Sequence, residues 1–525
     1  MDFVTHTLHK IMTKNSYVFL LLLAVAYAVF GNVIQGEFLY DDLVLIVNNE
    51  YTKSFSYFSE WFTSNSTAGA GRELGNLFRP IPSMLYTLMY TLFGLNSAVH
   101  HSINILIHTC NGYLVYRLLS NFSFKKIICL LTALIFITHP AQAESVSYIS
   151  GLPDVLSGTF ILLALKTYSE ITHSKSKQLL KVSLFTILAF LTKELSVIIL
   201  PLALLIDIYN WPEHSRREKN FRIKSLCTIG ALTIIYITLK FTVLNFHKGL
   251  EILYESNPYT EHLYVRLFTF ISILPEYFKL LIAPIHLYFD KGQIMFVNLF
   301  STTGILGTIS VIGTLIGSYY SYKKDRIFLL GSLWFFAALA PTAGIIITNA
   351  VYFEHWLYIP IIGALIILCG LYNSLQEKKH THIFIALTLI AIILLSARTA
   401  VRNQDWKNGI TFFQNEMAYT QIPEKVHHQL GMVHLENERY DQAISEIRQS
   451  LSTRYASEDT YFSLCLAHYF KGELLFAEPS CTQALQFDDQ HKGALMTLYN
   501  ILVQTNQSEK AMQLVPRLQE LGITN

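Results

Sequence analysis

Residues 17–33 read YVFLLLLAVAYAVFGNV, an apolar run without a charged side chain that follows Lys10 and Lys14. A helix of about 20 apolar residues is long enough to cross the hydrocarbon core of a bilayer. Because no small-residue cleavage site follows the run, we interpret it as a retained signal anchor and not as a removed signal peptide. The first segment of the chain therefore predicts insertion into a membrane.

The composition of the whole chain points the same way. Of its 525 residues, 52% are hydrophobic and only 14% are charged, which fits neither a soluble globular protein nor a disordered one. Lys and Arg together number 39 and Asp and Glu 37, so the net charge is +2 and nucleic acid is not an expected partner. Six cysteines are too few for a disulfide-stapled scaffold. We expect an all-α, polytopic membrane protein that contacts the lipid bilayer.

Ten further apolar segments predict membrane-spanning helices, so that residues 1–398 form a membrane domain with eleven crossings. Two more stretches, 81–94 and 263–284, are ambiguous because the first is short and the second contains Pro275. If both cross, the number becomes thirteen. The eleven segments are 16–34, 98–119, 126–140, 153–169, 178–192, 195–210, 225–245, 303–320, 326–347, 357–374 and 381–398.

The basic connectors predict the orientation of these segments. If both ambiguous stretches remain on the outer face, the Lys/Arg clusters at 175–181, 216–224 and 323–326 all fall on one side of the membrane. The positive-inside rule places that side in the cytoplasm. We therefore expect a cytoplasmic N-terminus, an outer-face C-terminus and a first outer loop at 35–97.

The polar segment 399–525 reads as amphipathic helix pairs. Apolar and small residues recur in it every 34 residues, in the series Leu430, Leu464, Leu498 and Ala443, Ala477, Ala511. This period is typical of tetratricopeptide repeats, which bind or pack against partners and supply no chemistry. Gly431 stands where paired helices must approach closely. Cys465 and Cys481 fall on the two helices of one repeat, where they either form a disulfide or pack in the core.

Ionisable side chains beside apolar helices are the main functional indication, because their desolvation is costly. In the predicted topology they converge on the outer side of the membrane. These residues are Asp41, Asp42, Arg79, His139, Glu144, Asp154, Lys193, Glu194, Asp290, Glu354 and His355.

Several of these residues allow two interpretations. Asp41 and Asp42 repel each other, which suits a general base or a metal ligand, although an Asp pair also caps helices. Lys193 and Glu194 form either an ion pair that holds a hairpin or an anion site at Lys193. Arg79 has no acid beside it in the sequence, so we expect an anionic ligand such as a lipid phosphate.

Histidines and aromatic residues leave further alternatives. His100, His101 and His108 are either hydrogen-bonded structure or metal ligands. Four aromatic residues are either interfacial anchors or platforms for a sugar: Trp61, Tyr352, Trp356 and Trp406.

Seven motifs occur in a characteristic order along the chain. They are FLYDDLVLIVN at 38–48, Phe78-Arg79-Pro80, the spacing of His101, Asn104 and His108, HPAQAESVSYISGLPD at 139–154, Lys193-Glu194, EHWLYIP at 354–360, and Asp405-Trp406-Lys407. Together they resemble the transmembrane and tetratricopeptide-repeat-containing O-mannosyltransferases (TMTC proteins) and their prokaryotic relatives, within the GT-C superfamily of polyprenyl-phosphate-dependent glycosyltransferases. The resemblance extends from about residue 36 to the end.

This resemblance implies an inverting glycosyltransferase. A sugar, such as mannose, would pass from a polyprenyl-phosphate carrier to an acceptor hydroxyl, such as a Ser or Thr of a protein or peptide held by the repeats. Asp41 or Asp42 would be the general base, and Glu144 would orient the pair or share a Mg or Mn ion with Asp42. The residues expected to bind lipid phosphate or sugar are Arg79, His139, Asp154, Lys193, Glu194, Glu354 and His355.

The chain departs from the family pattern at two positions. His355 stands where the family usually has Arg, and the Gly-Arg before Asp154 reads Gly-Leu-Pro. Two alternatives to this function remain open. One is an oligosaccharyltransferase, ligase, or lipid- or polysaccharide-modifying transferase of the same fold. The other is a non-enzymatic membrane scaffold that recruits partners through the repeats. The expected location is a prokaryotic inner membrane with the site on the periplasmic side, or the endoplasmic reticulum of a eukaryote.

Overall fold

The computed structural model describes residues 14–71, 76–122, 124–170, 174–210, 215–246, 257–292, 294–324, 326–347, 350–377, 381–420, 422–451 and 456–522. Within these ranges the regular structure is helical, without a strand, so the predicted all-α class is confirmed. Lys10 lies outside the described residues. The chain divides into two compact units, Met1–Lys407 and Asn408–Asn525.

The first unit contains thirteen helices of twelve or more residues within the described ranges. They are α1 (Asn15–Phe30), α2 (Pro80–Phe93), α3 (Ser97–Ser120), α4 (Lys126–Thr138), α5 (Leu152–Ser169), α6 (Lys175–Phe190), α7 (Ile199–Asn210), α8 (Arg216–Phe241), α9 (Leu263–Ile282), α10 (Thr302–Lys324), α11 (Ile327–Leu339), α12 (Ile361–Glu377) and α13 (Thr381–Arg402). Each segment predicted to span the membrane, and each ambiguous stretch, coincides with one of these helices.

The number of crossings remains a prediction. By length and composition, five helical segments of the described chain could span a membrane, or six if α4 and the bent segment after it count as one. Other helices of the first unit are shorter than these segments. Helix α2 has 14 residues and α11 has 13. At 1.5 Å per residue, α2 reaches about 21 Å, short of the ~30 Å hydrocarbon core.

Helix α4 lies at the centre of the first unit. It packs against α1, α3, α12 and α13, and every residue from Ile128 to Thr138 is buried. Helices at the periphery have exposed apolar side chains instead. Helix α13, for example, exposes Leu387, Ile390 and Ile393. Such apolar faces suit contact with lipid and not with water.

The second unit is a row of paired helices. They are α14 (Gly409–Met417), α15 (Pro423–Glu436), α16 (Tyr440–Leu451), α17 (Glu458–Lys471), α18 (Leu474–Phe487), α19 (Lys492–Gln504) and α20 (Ser508–Glu520). Three helix pairs follow one another at the 34-residue period of the sequence: α15–α16, α17–α18 and α19–α20. Their assignment to the tetratricopeptide-repeat class stays a prediction.

Two predictions about close packing in this unit can be checked. A Cβ atom added at Gly431 would lie 2.6 Å from Cγ1 of Ile447, which confirms that α15 and α16 approach closely there. Cys465 and Cys481 are joined by a disulfide that links α17 to α18. Of the two alternatives for these cysteines, the bridge is the one the structure contains.

Candidate active site

The ionisable residues come together in the segments that connect the helices of the first unit. Asp41 and Asp42 follow α1, Glu144 lies between α4 and α5, and His355 lies between α11 and α12. The polypeptide forms short helical turns at these places: Leu43–Val47 directly after the acidic pair, Ala143–Ser147 around Glu144, and Glu354–Leu357 around His355. Broken helices within a membrane domain are tolerated where they are covered by protein or line a cavity.

Asp42 is a fully bonded, buried carboxylate. Its Oδ2 accepts from the Leu39 amide at 2.8 Å, and its Oδ1 accepts from both the amide (2.7 Å) and the hydroxyl of Ser150. Only 1% of the residue is exposed. Burial raises the pKa of Asp42 to about 7, although these hydrogen bonds favour the anion. Asp42 therefore ties the loop after α1 to the turn before α5.

Asp41 has a more accessible position than Asp42. It is half-buried, and its amide donates to the Tyr148 hydroxyl at 2.8 Å. Burial raises the pKa of Asp41, while the Tyr148 hydrogen bond and the charges of Arg79 and His355 oppose that rise. Tyr40, just before it, has a φ of 47°, a left-handed conformation that side chains rarely adopt. Backbone strain of this kind is common beside functional groups.

Tyr148 is held by two aromatic neighbours. Its ring stacks on Trp406 at a centroid distance of 5.0 Å and lies nearly perpendicular to the ring of Phe289 at 5.9 Å. Asn104 donates to the Tyr148 carbonyl at 3.1 Å, which fixes the turn before α5. Because Gly151 lacks a Cβ, this turn can lie directly against the Ser145 carbonyl. The position of Tyr148 beside Asp41 is thus determined by packing.

Two ion pairs correct the expectations for Arg79, Lys193 and Glu194. Arg79 is not an unneutralised cation, because its Nη2 and Nε bind Glu194 at 2.7 and 3.3 Å. Lys193 does not pair with Glu194, because its Nζ lies 2.5 Å from Asp154 Oδ1. The extended backbone at Lys193 directs adjacent side chains to different neighbours. The hairpin between α6 and α7 is therefore bonded to α2 and α5.

Glu144 and His355 form a dyad. The Nδ1 atom of His355 lies 2.6 Å from Glu144 Oε1, and the His355 amide donates to Oε2 at 3.0 Å. Glu144 is 1% exposed, so this carboxylate is available to little else. The pair fixes the imidazole and leaves its Nε2 on the opposite side of the ring.

Glu354 is the centre of a buried network that the sequence did not reveal. Its Oε1 accepts from Lys291 Nζ at 2.8 Å and from the Tyr288 amide at 2.7 Å, and its Oε2 lies 3.4 Å from Arg402. Arg402 also binds Asp405 at 2.9 Å. Neither Lys291 nor Arg402 was among the predicted site residues. The apolar surroundings of Arg402, at the end of α13, were the one signal that could have found it.

His139, predicted as a substrate contact, is bonded to the backbone through its imidazole ring. Its Nδ1 accepts from the Ala141 amide at 3.2 Å and its Nε2 lies 3.2 Å from the Leu281 carbonyl. Both ring nitrogens are thus occupied by backbone groups. His108 is bonded in a similar way, to the Tyr358 hydroxyl at 2.8 Å and the Ile137 carbonyl at 3.2 Å. For His108, the structural alternative is the one observed.

The expectation that the aromatic residues anchor the protein at the membrane interface is also corrected. Trp406 has no exposed surface, Trp61 is 4% exposed, and Tyr352 and Trp356 are each 8% exposed. These rings pack inside the protein, so none of them reaches the headgroup region as an interfacial anchor must.

The metal site suggested for Asp42 and Glu144 does not fit this geometry. The carboxylate oxygens of Asp42 face Leu39 and Ser150, and those of Glu144 face His355. Across the described part of the chain, no three His, Cys, Asp or Glu residues form a group that could hold a metal ion. Mg²⁺ and Mn²⁺ require several free oxygen ligands. We therefore derive no chemical step through a metal.

Comparison with known sequences identifies relatives of the chain. No family model matches it. A protein O-mannosyl-transferase of Caenorhabditis elegans is 24% identical over 427 residues, covering 79% of this chain and 59% of that protein. TMTC4 of Mus musculus is 23% identical, and the match covers 77% of this chain and 62% of TMTC4. TMTC1 of Homo sapiens is 24% identical, and the match covers 82% of this chain and 54% of TMTC1. The relatives of this chain are protein O-mannosyl-transferases. The resemblance inferred from the motifs is thus confirmed, and the chain spans 54–62% of the length of these three proteins.

Two solved structures were also matched. One is the archaeal oligosaccharyltransferase AglB from Archaeoglobus fulgidus, in complex with an inhibitory peptide and a dolichol-phosphate. Its TM-score is 0.39 at 12% sequence identity, and the match covers 82% of this chain and 59% of the AglB chain. The other is ArnT from Cupriavidus metallidurans, bound to undecaprenyl phosphate. Its TM-score is 0.38 at 14% sequence identity, and the match covers 89% of this chain and 80% of the ArnT chain. We draw no conclusion about this chain from either.

Proposed function

We propose that this protein is an inverting glycosyltransferase that moves a sugar from a polyprenyl-phosphate carrier to an acceptor hydroxyl. The observation that carries the proposal is Asp41, a half-buried carboxyl of raised pKa beside Tyr148, in electrostatic contact with Arg79 and His355. A base of raised pKa, flanked by positive charge, suits removal of a proton next to a departing phosphate. The names of the relatives, all protein O-mannosyl-transferases, support mannose as the sugar.

Asp41 is the proposed base, and Asp42 is the proposed positioning residue. The acceptor hydroxyl gives its proton to the Asp41 carboxylate while its oxygen attacks the anomeric carbon. The bond between that carbon and the phosphate oxygen breaks, and the lipid phosphate leaves with the electron pair. A single displacement of this kind inverts the configuration of the sugar. Asp42, whose oxygens already accept hydrogen bonds from Leu39 and Ser150, holds Asp41 in place.

His355 is the proposed contact for the departing phosphate. Glu144 accepts a hydrogen bond from Nδ1 and fixes the orientation of the ring. Nε2 donates to the phosphate in the imidazolium form, in which both ring nitrogens carry a hydrogen. Arg79 and Lys193 each have an acidic partner, so they contribute a weaker field at the phosphate than free cations would. Glu354, bonded to Lys291 and Arg402, supports the segment that carries His355.

The second unit is the proposed acceptor-binding module, located on the outer side of the membrane. Its disulfide between Cys465 and Cys481 supports this side, because disulfides persist in the periplasm and the endoplasmic reticulum and are rare in the cytosol. Labelling of whole cells tests the location. Both thiols should react with a maleimide only after reduction, and reaction without reduction would contradict an oxidising compartment.

The function is tested with purified protein in nanodiscs, using undecaprenyl-phosphate mannose as donor and a Ser/Thr-containing peptide as acceptor. We expect release of undecaprenyl phosphate that requires the peptide, continues in EDTA, and yields a mannosyl peptide of inverted configuration. The Asp41→Asn protein serves as the inactive control. A wild-type protein that consumes no glycosyl-phosphate lipid, or that retains the configuration, would refute the proposal.

A further inference from the structure

A single turn, residues 148–150 before α5, is bonded to both members of the acidic pair. Ser150 donates its amide and its hydroxyl to Asp42, and the Tyr148 hydroxyl accepts from the Asp41 amide at 2.8 Å. The same Tyr148 hydroxyl also hydrogen-bonds the Asp41 carboxyl. Positions 107 and 108 residues apart are joined in this way. The turn therefore determines where each of the two adjacent carboxyl groups lies.

The Tyr148 hydroxyl can bond both polar groups of Asp41 at once. A phenolic hydroxyl has one proton to donate and two lone pairs that accept. One lone pair receives the Asp41 amide, so the proton remains for the carboxyl. A hydrogen bond from a hydroxyl to a carboxylate is charge-assisted and stronger than a bond between neutral groups. The hydroxyl thus favours the ionised form of Asp41, which is the form that can accept a proton.

The surroundings of the Tyr148 ring fix the position of that hydroxyl. Trp406 stacks on the ring, Phe289 lies nearly perpendicular to it, and the residue is 6% exposed. The side chain of Asn104 bonds the carbonyl of the same residue. Asp41, in contrast, is half-buried and keeps an accessible side. A rigid donor beside a partly accessible carboxyl holds that carboxyl in one direction.

The other titratable groups around Asp41 do not replace this donor. Asp42 repels the charge of Asp41. Arg79 and His355 attract that charge, but each is bonded to a glutamate of its own. Among the described residues, Tyr148 is the side chain that hydrogen-bonds the Asp41 carboxyl. The complete set of titratable groups that face Asp41 is Asp42, Arg79, Tyr86, Tyr148 and His355.

We propose that Tyr148 is a positioning residue, whose hydroxyl holds the Asp41 carboxylate in the direction from which it accepts the proton of the acceptor hydroxyl. The role of Asp41 as the base rests on the proposed function, whereas the bond between the two side chains does not. Misplacing a reacting group by about 1 Å can cost a large factor in rate. Tyr148 acts through Asp41 and does not itself contact the substrate.

The first test uses Tyr148→Phe, which removes the hydroxyl and keeps the ring against Trp406. The measurement is kcat for peptide mannosylation in nanodiscs as a function of pH. Because the base must be ionised, activity rises with pH through the pKa of Asp41, and loss of a donor to the carboxylate raises that pKa. We expect the rising limb to move up by about one pH unit and the plateau kcat to fall about tenfold. The KM for the mannosyl lipid should not change.

A second readout does not require transfer. The infrared band of the protonated Asp41 carboxyl is isolated by subtracting the spectrum of the same protein carrying Asp41→Asn, and its disappearance with rising pH reports the pKa. We expect this band to disappear about one pH unit higher in Tyr148→Phe than in the wild type. If the wild type transfers no mannose, the proposed function fails, and the band still decides the inference.

Tyr168→Phe is the matched control. The Tyr168 hydroxyl also bonds a carboxylate, that of Asp207 at 2.5 Å, at the other end of α5. Its removal should lower the melting temperature and leave both the pH profile of kcat and the Asp41 band in place. The inference is wrong if Tyr148→Phe behaves like this control, or if its Asp41 band disappears at the wild-type pH or at a lower one.

Discussion

Helix α5 has a polar cluster near each end, and the two clusters differ in how accessible their charged groups are. Near its C-terminal end, Tyr168 donates to Asp207 at 2.5 Å, and Arg222 lies 3.6 Å from Asp207 and 4.5 Å from the Tyr168 ring. We call these three residues the closed cluster. Near its N-terminal end, Asp154 belongs to the candidate active site. The two ends lie about 20 Å apart at 1.5 Å per residue.

The difference lies in accessibility and not in residue type. The closed cluster is buried and joins the ends of α5, α7 and α8 through the Tyr168–Asp207 hydrogen bond and the Arg222–Asp207 ion pair, whose atoms Nη1 and Oδ1 lie 3.6 Å apart. The candidate site is also mostly bonded, but it leaves the Asp41 carboxyl half-buried. A fully buried cluster holds helices together, whereas a partly accessible carboxyl of raised pKa can reach a ligand. We propose that this difference in accessibility separates a structural acidic cluster from a catalytic one.

The largest expected effect comes from replacing one carboxylate in each cluster. We expect Asp41→Asn to reduce mannosyl transfer by about 10²–10⁴-fold, the range for loss of a general base, with little change in melting temperature. The measurement is kcat for peptide mannosylation at saturating donor. Asp207→Asn is the matched change in the closed cluster.

Asp207→Asn should give the opposite result. Because it removes the acidic partner of buried Arg222, the melting temperature should fall, while kcat per folded molecule stays within about twofold of the wild type. If Asp207→Asn abolishes transfer in protein that remains folded, or if Asp41→Asn leaves transfer intact, the two clusters do not differ in the way proposed here.

A second comparison uses the ion pair between Arg79 and Glu194. Burial would raise the pKa of Glu194, but the Arg79 guanidinium outweighs this and holds that pKa at about 2. We expect Glu194→Gln to destabilise the protein by about 3 kcal/mol, near the lower end for a broken buried pair, because Glu194 keeps some exposure. Thermal unfolding at pH 7 is the measurement.

Glu276→Gln provides the control for this ion pair. Glu276 lies 3.4 Å from Lys279 on α9, as an i, i+3 pair whose two side chains are about half exposed. Pairs of that kind contribute about 0.3–0.5 kcal/mol, so the control should unfold almost as the wild type does. Equal destabilisation by both changes would show that Arg79 and Glu194 act as an ordinary surface pair.

The sequence predicted the elements of the fold better than the pairing of its charges. Apolar length alone located each helix from α1 to α13, because a membrane segment must satisfy its own backbone hydrogen bonds. Charge pairing depends on which helices pack together. Lys193 and Glu194 are neighbours in the sequence, yet Glu194 binds Arg79, 115 positions away, and Lys193 binds Asp154, 39 positions away. Local spacing carries no information on such contacts.

The residues of the candidate site that belong to recognisable motifs could be predicted from the sequence, and the others could not. Asp41, Glu144 and His355 belong to motifs with adjacent charged or polar residues. Arg402 was missed because its acidic partner, Glu354, lies 48 positions away. Such roles become visible only when burial and distance are known.

The pH dependence of stability distinguishes Asp42 from a carboxylate in a closed cluster. Its folded pKa of about 7 lies above its ordinary value of 3.8 because burial disfavours the charge. The neutral buried form therefore contributes stability that is fully present below about pH 4 and is lost as the pH rises through 7. Relative to Asp42→Asn, the wild type should lose about 2 kcal/mol between about pH 5 and pH 8. A difference that does not change with pH would contradict the raised pKa.

The smallest expected effect concerns the Ser150 hydroxyl, one of the three donors to Asp42. Hydrogen bonds to this carboxylate favour its anion, so Ser150→Ala should raise the folded pKa further. The variant should then match the wild type at about pH 5, where Asp42 is neutral, and be less stable by about 1 kcal/mol at about pH 8. Thermal unfolding of both proteins at the two pH values measures this difference. If the Ser150→Ala protein is equally destabilised at both pH values, the Ser150 hydroxyl supports the turn before α5 and does not act through the charge of Asp42.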